Sequence, residues 1–248
     1  MPYALITGAT SGIGLAIARQ LKGYDLVLAS RDEARMRELQ TEFGPRTLIV
    51  SADLSKHGSA LQLFERCRGL EIEVVVCNAG FGRMGAHLDH TPDDVTGVSH
   101  LNVTSLVELC SLFGRPMRER KRGYLLTVAS IAGFLPLPYF AEYAATKAFV
   151  IAFSRALTEE LKPHGVTVTC LCPGPTDTNF RTRAHFPSSY SSMRTMSAED
   201  VARMGLEGLW RARPLVIPGG PRNQLVAYLG RLIPQPLLAW YFRRRLDE

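Results

Sequence analysis

The chain has 248 residues, 46% of them hydrophobic, which suits one large α/β domain with a sizeable core better than two small ones. A net charge of +6 is modest, and no helix-turn-helix, RNA-recognition or zinc-finger pattern accompanies it, so nucleic acid is not an expected partner. No run approaches the roughly 18 uninterrupted apolar residues of a membrane span.

The first residues run straight into a strand-like segment with none of the parts of a signal peptide, and the expected location is the cytoplasm. Five cysteines (Cys67, Cys77, Cys110, Cys170 and Cys172) lie scattered in apolar stretches without a CxxC pair and read as buried free thiols. The six histidines show no HExxH or other ligand spacing, so no metal site is expected.

Apolar strands alternate with amphipathic helices along the chain. Tyr3–Thr7 reads as the first strand, followed by a glycine-opened helix to about Lys22. Asp25–Ser30 is a second strand, Asp32–Phe43 a charged helix, and Thr47–Val50 and Val74–Cys77 two further strands. One long helical region is expected from Pro92 to Glu119. Its end carries Arg115, Arg118, Arg120, Lys121 and Arg122, which complement the helix dipole. Tyr124–Val128, Val166–Leu171 and Leu215–Ile217 complete the strands, with a helix over Glu142–Lys162 between the first two. Such alternation predicts a Rossmann-type doubly wound α/β sheet of about seven parallel strands with helices on both faces. Residues 1–248 form one domain, and ligands belong at the carboxyl edge of the strands, where strand order reverses.

Thr7-Gly8-Ala9-Thr10-Ser11-Gly12-Ile13-Gly14 follows the first strand and opens the first helix. There the backbone turns tightly, and the helix N-terminus offers free N–H groups to a pyrophosphate. Tyr143 and Lys147 stand four apart, on one face of a helix, and Ser130 lies just after the fifth strand. Reducing a carbonyl needs hydride at carbon and a proton at oxygen. A nearby cation lowers the pKa of a phenol, which lets Tyr143 act as general acid or base, and Ser130 can donate to the developing alkoxide.

The TGxxxGxG spacing, with Ser130 and the YxxxK pair, resembles the short-chain dehydrogenase/reductase family over nearly the whole chain. The resemblance implies an NAD(P)-dependent oxidoreductase acting on a small-molecule carbonyl or alcohol. It gives Lys147 a second role on the nicotinamide ribose and makes Asn102 a fourth catalytic residue that holds a water. It places Gly8, Thr10, Ser11, Gly12, Ile13 and Gly14 around the cofactor, with Asp53 and Leu54 at the adenine. Asn78, Ala79 and Gly80 would line the cleft, and Pro173, Gly174, Thr176 and Thr178 would meet the nicotinamide and phosphates.

Arg31, directly after the second strand, favours the 2′-phosphate of NADP(H), with NAD(H) as the alternative. Ser11 stands where many NADP-preferring members carry a second basic residue. A non-enzymatic dinucleotide-binding sensor on the same fold is the competing function.

Residues 177–197 read as a substrate lid, rich in Ser, Arg and Thr, with Phe180, Phe186, Tyr190, Met193 and Met196 among them, which points to a hydrophobic substrate. Tyr139, beside Pro136 and Pro138, reads as a substrate-loop residue. The extension over 221–248 is apolar and basic, split into two helical pieces by Pro234 and Pro236. Tails of this kind occur in the family branch that includes DltE-like proteins and the ketoacyl or steroid reductases. The extension reads as a contact in a homodimer or homotetramer, or as a cover for the cleft, ahead of a peripheral membrane contact.

Overall fold

The computed structural model describes residues 1–186, 195–230 and 233–247. In chain order they form β1 (Tyr3–Thr7), α1 (Gly12–Gln20), β2 (Asp25–Ser30), α2 (Glu33–Phe43), β3 (Leu48–Ser51), α3 (Ser59–Arg66), β4 (Ile72–Cys77), α4 (Pro92–Ser99), α5 (Ser105–Glu119), β5 (Gly123–Val128), α6 (Ala141–Leu161), β6 (Val166–Leu171), β7 (Thr176–Asp177), α7 (Phe180–Arg183), β8 (Met196–Ser197), α8 (Ala198–Trp210), β9 (Leu215–Val216), α9 (Gly220–Leu229) and α10 (Gln235–Asp247).

Seven strands make one parallel sheet in the order β3-β2-β1-β4-β5-β6-β9. Strand order reverses between β1 and β4, which opens a crevice at their carboxyl ends. Both faces of the sheet are covered, because alternate side chains of each strand enter two separate cores. Leu5, Val27, Val75 and Leu125 point into one and Ile6, Leu28, Val76 and Leu126 into the other, all fully buried.

Three expectations need correction. The region from Pro92 to Glu119 is not one helix: a π-helical turn over His100–Thr104 separates α4 from α5. The sequence reading passed over α3, although Ala60, Leu63 and Cys67 recur at helical spacing and fill one face of the core. The basic block past α5 is more than a solvated helix end. Arg122 pairs with buried Glu73 of β4 at 2.9 Å, and Arg120 donates to the carbonyl of Ile72.

In the lid, the two-residue strands β7 and β8 pair in parallel, which the sequence did not signal. The tail does form two helices, but only Pro234 lies between them. Pro236 sits in the first turn of α10, where a missing N–H costs nothing.

Candidate active site

The crevice is held at its base by Thr7, whose side chain is almost wholly buried. Its hydroxyl donates to the carbonyl of Val76 at 3.2 Å and accepts from the backbone N–H groups of Asn78 and Ala79, each at 3.0 Å. One β1 hydroxyl thus fixes the end of β4. Above it the chain turns at Gly8, with φ at +66°, a conformation that favours glycine. A Cβ at Gly14 would overlap Asn78 Nδ2 and the carbonyl oxygen of Gly8, both closer than 3.0 Å. The turn therefore packs backbone on backbone.

The Asn78 side chain does not line the cleft. It points into this turn, where Nδ2 donates to the carbonyls of Thr7 at 2.9 Å and Gly8 at 3.2 Å. Its part is to brace the loop that a cofactor would touch. Gly80 lies on the cleft: a Cβ there would come within 3.0 Å of Asn102 Oδ1 and 3.3 Å of Lys147 Nζ. Thr10 and Ser30 join the turn to the end of β2 through their hydroxyls, 3.1 Å apart.

Ser11 is the N-cap of α1 yet makes no side-chain cap, and the first turn carries no acid, so the leading N–H groups suit a phosphate. The small residues of this turn and its uncapped helix fit a dinucleotide pyrophosphate. Thr178 lies across the turn, its Cγ2 within 2.9 Å of a Cβ built at Gly12.

Arg31 is exposed at the end of β2, and its charge reaches Asp53. Burial alone would raise the Asp53 carboxyl, but Oδ1 accepts from the Ser55 hydroxyl at 2.6 Å and the Ser55 backbone N–H at 3.1 Å, and these bonds outweigh burial and hold it below the usual range. Leu54 follows Asp53 and offers the cleft its backbone at most. Its side chain is buried in the core, and its carbonyl accepts from Ser105 at 2.6 Å. Gly174 meets another part of the protein: a Cβ there would strike the amide of Asn223, which donates to Pro218 at 2.7 Å. Thr176 turns back to the carbonyl of Gly174 at 2.9 Å.

Ser130, Tyr143 and Lys147 meet at the carboxyl end of β5. Ser130 Oγ accepts from the N–H of Ala132 at 3.1 Å and lies 3.4 Å from the carbonyl of Pro173. That fixes it between the β5 and β6 ends. Tyr143 and Lys147 are one turn apart on α6 and are both buried. Lys147 Nζ donates to the carbonyl of Val128 at 2.9 Å and sits 5.6 Å from the centre of the Tyr143 ring.

Burial pushes the Tyr143 phenol up to about 12, and the hydrogen bond to Ser130 only partly opposes it. Burial likewise pulls Lys147 down to about 8. Desolvation is the largest influence on both groups, and it opposes the charge on each. A phenol raised in this way is protonated at neutral pH.

Asn102 occupies the π-helical turn that the sequence did not reveal. Its Nδ2 donates to the carbonyl of Phe81 at 2.8 Å and to Thr146 Oγ1 at 3.0 Å, while Oδ1 accepts from the N–H of Phe81 at 3.1 Å. The amide is thereby fixed beside Gly80 and Lys147.

An apolar wall surrounds Tyr143. Phe140 stacks on its ring at 4.4 Å, Phe180 lies at 5.3 Å, and Phe186 contacts Phe140 edge-on at 5.1 Å. Met84 and Leu137 pack against the same group. Backbone bonds from Met84 to Ala184 at 2.9 Å and from Gly85 to Tyr139 at 2.8 Å stitch these loops together. Phe180 and Phe186 were expected from the lid composition. Met84 carried no sequence signal, and Phe140 only its place three residues before Tyr143. Tyr190 and Met193 lie outside the described residues.

The histidines are less scattered than they read. His87 and His90, with Glu142, bring ligand atoms within 4.8 Å of one another. His87 is exposed, Glu142 already accepts from Ser99 at 2.9 Å, and no fourth His, Cys or carboxylate joins them among the described residues. The five cysteines are all buried and free. Among the described residues no helix is long and apolar enough to cross a membrane. On the tail, Leu225, Tyr228, Leu237, Trp240 and Tyr241 are exposed, and the Arg244 guanidinium lies 4.7 Å over the Trp240 ring.

The short chain dehydrogenase family profile matches residues 2–186. Human 17-beta-hydroxysteroid dehydrogenase type 3 is 35% identical over 179 residues, which are 69% of this chain and 58% of that protein. The very-long-chain 3-oxoacyl-CoA reductase of Pyrenophora tritici-repentis is 35% identical over 181 residues, 68% of this chain and 53% of that one. The chain spans little more than half the length of these relatives. A solved short-chain dehydrogenase from Sphingobium yanoikuyae, in complex with NADPH, is 29% identical with a TM-score of 0.83 and covers 93% of both chains.

Proposed function

The chain belongs to the short-chain dehydrogenase family, and on that premise we propose that it is an NADP(H)-dependent oxidoreductase reducing a bulky, hydrophobic ketone. The observation that carries this reading is the Ser130–Tyr143–Lys147 set, which stands at the carboxyl end of β5, one strand beyond the strand-order reversal, beside a wall of Phe140, Phe180 and Phe186. The named relatives act on a hydroxysteroid and a very-long-chain acyl group, which supports an apolar substrate. NADPH in the solved relative and Arg31 at the end of β2 support the choice of cofactor.

When bound, the reduced nicotinamide supplies the hydride to the carbonyl carbon. The turn from Gly8 to Gly14 would hold the pyrophosphate, Arg31 the 2′-phosphate, Lys147 the ribose hydroxyls, and the backbone near Pro173 and Thr178 the nicotinamide amide. Tyr143 donates its phenolic proton to the carbonyl oxygen, leaving a C–H and an O–H where the C=O stood. Its raised pKa keeps the phenol protonated at neutral pH, the form that reduction requires. The Ser130 hydroxyl donates to the same developing oxygen. Lys147, charged below about pH 8, stabilises the phenolate that remains. Asn102 fixes the 80–81 backbone against Lys147.

The exposed apolar residues of α9 and α10 support a homo-oligomer assembled through the tail.

Cofactor oxidation over a panel of steroid ketones, 3-oxoacyl thioesters and small ketones tests the reading. NADPH should be consumed faster than NADH, and bulky apolar ketones should outpace small ones. Tight NADPH binding without turnover on any carbonyl would favour the sensor instead.

A further inference from the structure

Ser11 stands at the start of α1, yet its hydroxyl bonds no helix N–H. It accepts instead from Arg183 Nη2 at 3.2 Å, a contact between residues 172 positions apart. Arg183 belongs to α7 in the lid, and its Nε lies 3.4 Å from the carbonyl of Asn179. Neither partner is an anion, and the first turn of α1 has no acid to supply one.

The Thr10–Ser30 contact, 3.1 Å between hydroxyls, sits beside this place. Ser11 and Arg31 are the next residues on its two sides. Arg31, next to Ser30 in the chain, and Arg183, bonded to Ser11, thus stand on either side of this contact. In a sheet of this topology the adenosine ribose lies at the end of the second strand, next to the glycine turn.

We infer that Arg183 is a second ligand for the 2′-phosphate of NADP(H), carried by the lid, and so a determinant of NADP over NAD choice. This rests on the NADP(H) reading above. A neutral hydroxyl is a weaker partner for a guanidinium than a phosphate, which accepts paired, charge-assisted bonds. Arg183 exchanges Ser11 for the phosphate when the cofactor arrives. Because Phe180 lies three residues earlier on α7 and contacts Tyr143, the exchange also tethers the apolar wall over the reaction centre.

Isothermal titration of the full chain with NADPH and with NADH tests this without turnover. Arg183→Ala should weaken NADPH about tenfold, the low end for a charged hydrogen bond at an exposed site, and NADH less than about twofold. Arg183→Lys, which keeps the charge without the fork, should recover part of the loss, and circular dichroism checks that each variant is folded. Equal losses for both cofactors would place Arg183 on the pyrophosphate and overturn the inference, as would unchanged NADPH affinity. A selective loss in Arg31→Ala without one in Arg183→Ala would defeat the inference but leave the cofactor reading standing. If the unaltered chain binds NADPH no better than NADH and Arg31→Ala is neutral, the cofactor reading itself fails.

Discussion

Gly14→Ala adds one methyl group at the most crowded point of the cofactor turn. The new Cβ overlaps Asn78 Nδ2 and the Gly8 carbonyl oxygen, and neither is free to retreat. Asn78 Nδ2 is bonded to two backbone carbonyls, and Gly8 is held in the left-handed region by the end of β1. Over-packing of this kind costs about 1–3 kcal/mol. Losing the two Asn78 bonds adds about 0.5–1.5 kcal/mol each. Alanine is the better helix former by about 1 kcal/mol, which offsets part of this at a helical position.

The net loss is about 1–5 kcal/mol. At about 2–4 °C per kcal/mol for a chain of this size, Tm falls by about 2–20 °C. The displaced turn also moves the α1 N-terminus, so NADPH affinity should drop by about tenfold or more. Differential scanning calorimetry and isothermal titration read the two effects. Asn78→Ala is the paired control, since it removes the bonds without the overlap and should cost less. A Gly14→Ala protein with unchanged Tm and unchanged affinity would refute the packing argument, as would an Asn78→Ala protein less stable than Gly14→Ala.

Four further outcomes follow from the site. Arg31→Ala should weaken NADPH by about tenfold while sparing NADH, measured by titration, because only the former carries the 2′-phosphate. Lys147 is charged below about pH 8 and neutral above, so kcat/KM for reduction should fall as pH rises through that value. At that group the unfolded chain, near 10.5, holds more protons between about 8 and 10.5, so stability should rise with pH across that window in denaturant titrations; Lys147→Met should remove the rise. Phe180→Ala opens the wall beside Tyr143 and should raise KM for bulky ketones by about tenfold, from a lost aromatic contact, with little change for small ones.

The sheet was legible because its strands are short apolar runs between amphipathic helices, and Asp25–Ser30 and Val166–Leu171 have the bounds expected of them. The break between α4 and α5 was not, since His100–Thr104 has no proline or glycine to mark a π-helical turn. Ser130, Tyr143 and Lys147 could be found because strand ends and helical spacing bring them together. The Asn78 side chain was misplaced because residue type cannot say whether an amide faces a ligand or braces its own turn. Arg183 and Met84 reach the site through loop paths with no periodicity, so spacing carries no signal for them. The state of Tyr143 was also invisible, because it depends on how completely Phe140 and Phe180 exclude water.

The proton-donor role of Tyr143 is tested most directly by Tyr143→Phe. The ring and its stacking on Phe140 survive, and only the hydroxyl bonded to Ser130 is lost. Ketone reduction should slow by about a thousandfold, within the range for general acid catalysis, with NADPH affinity unchanged. Reduction at the rate of the unaltered chain would contradict that role.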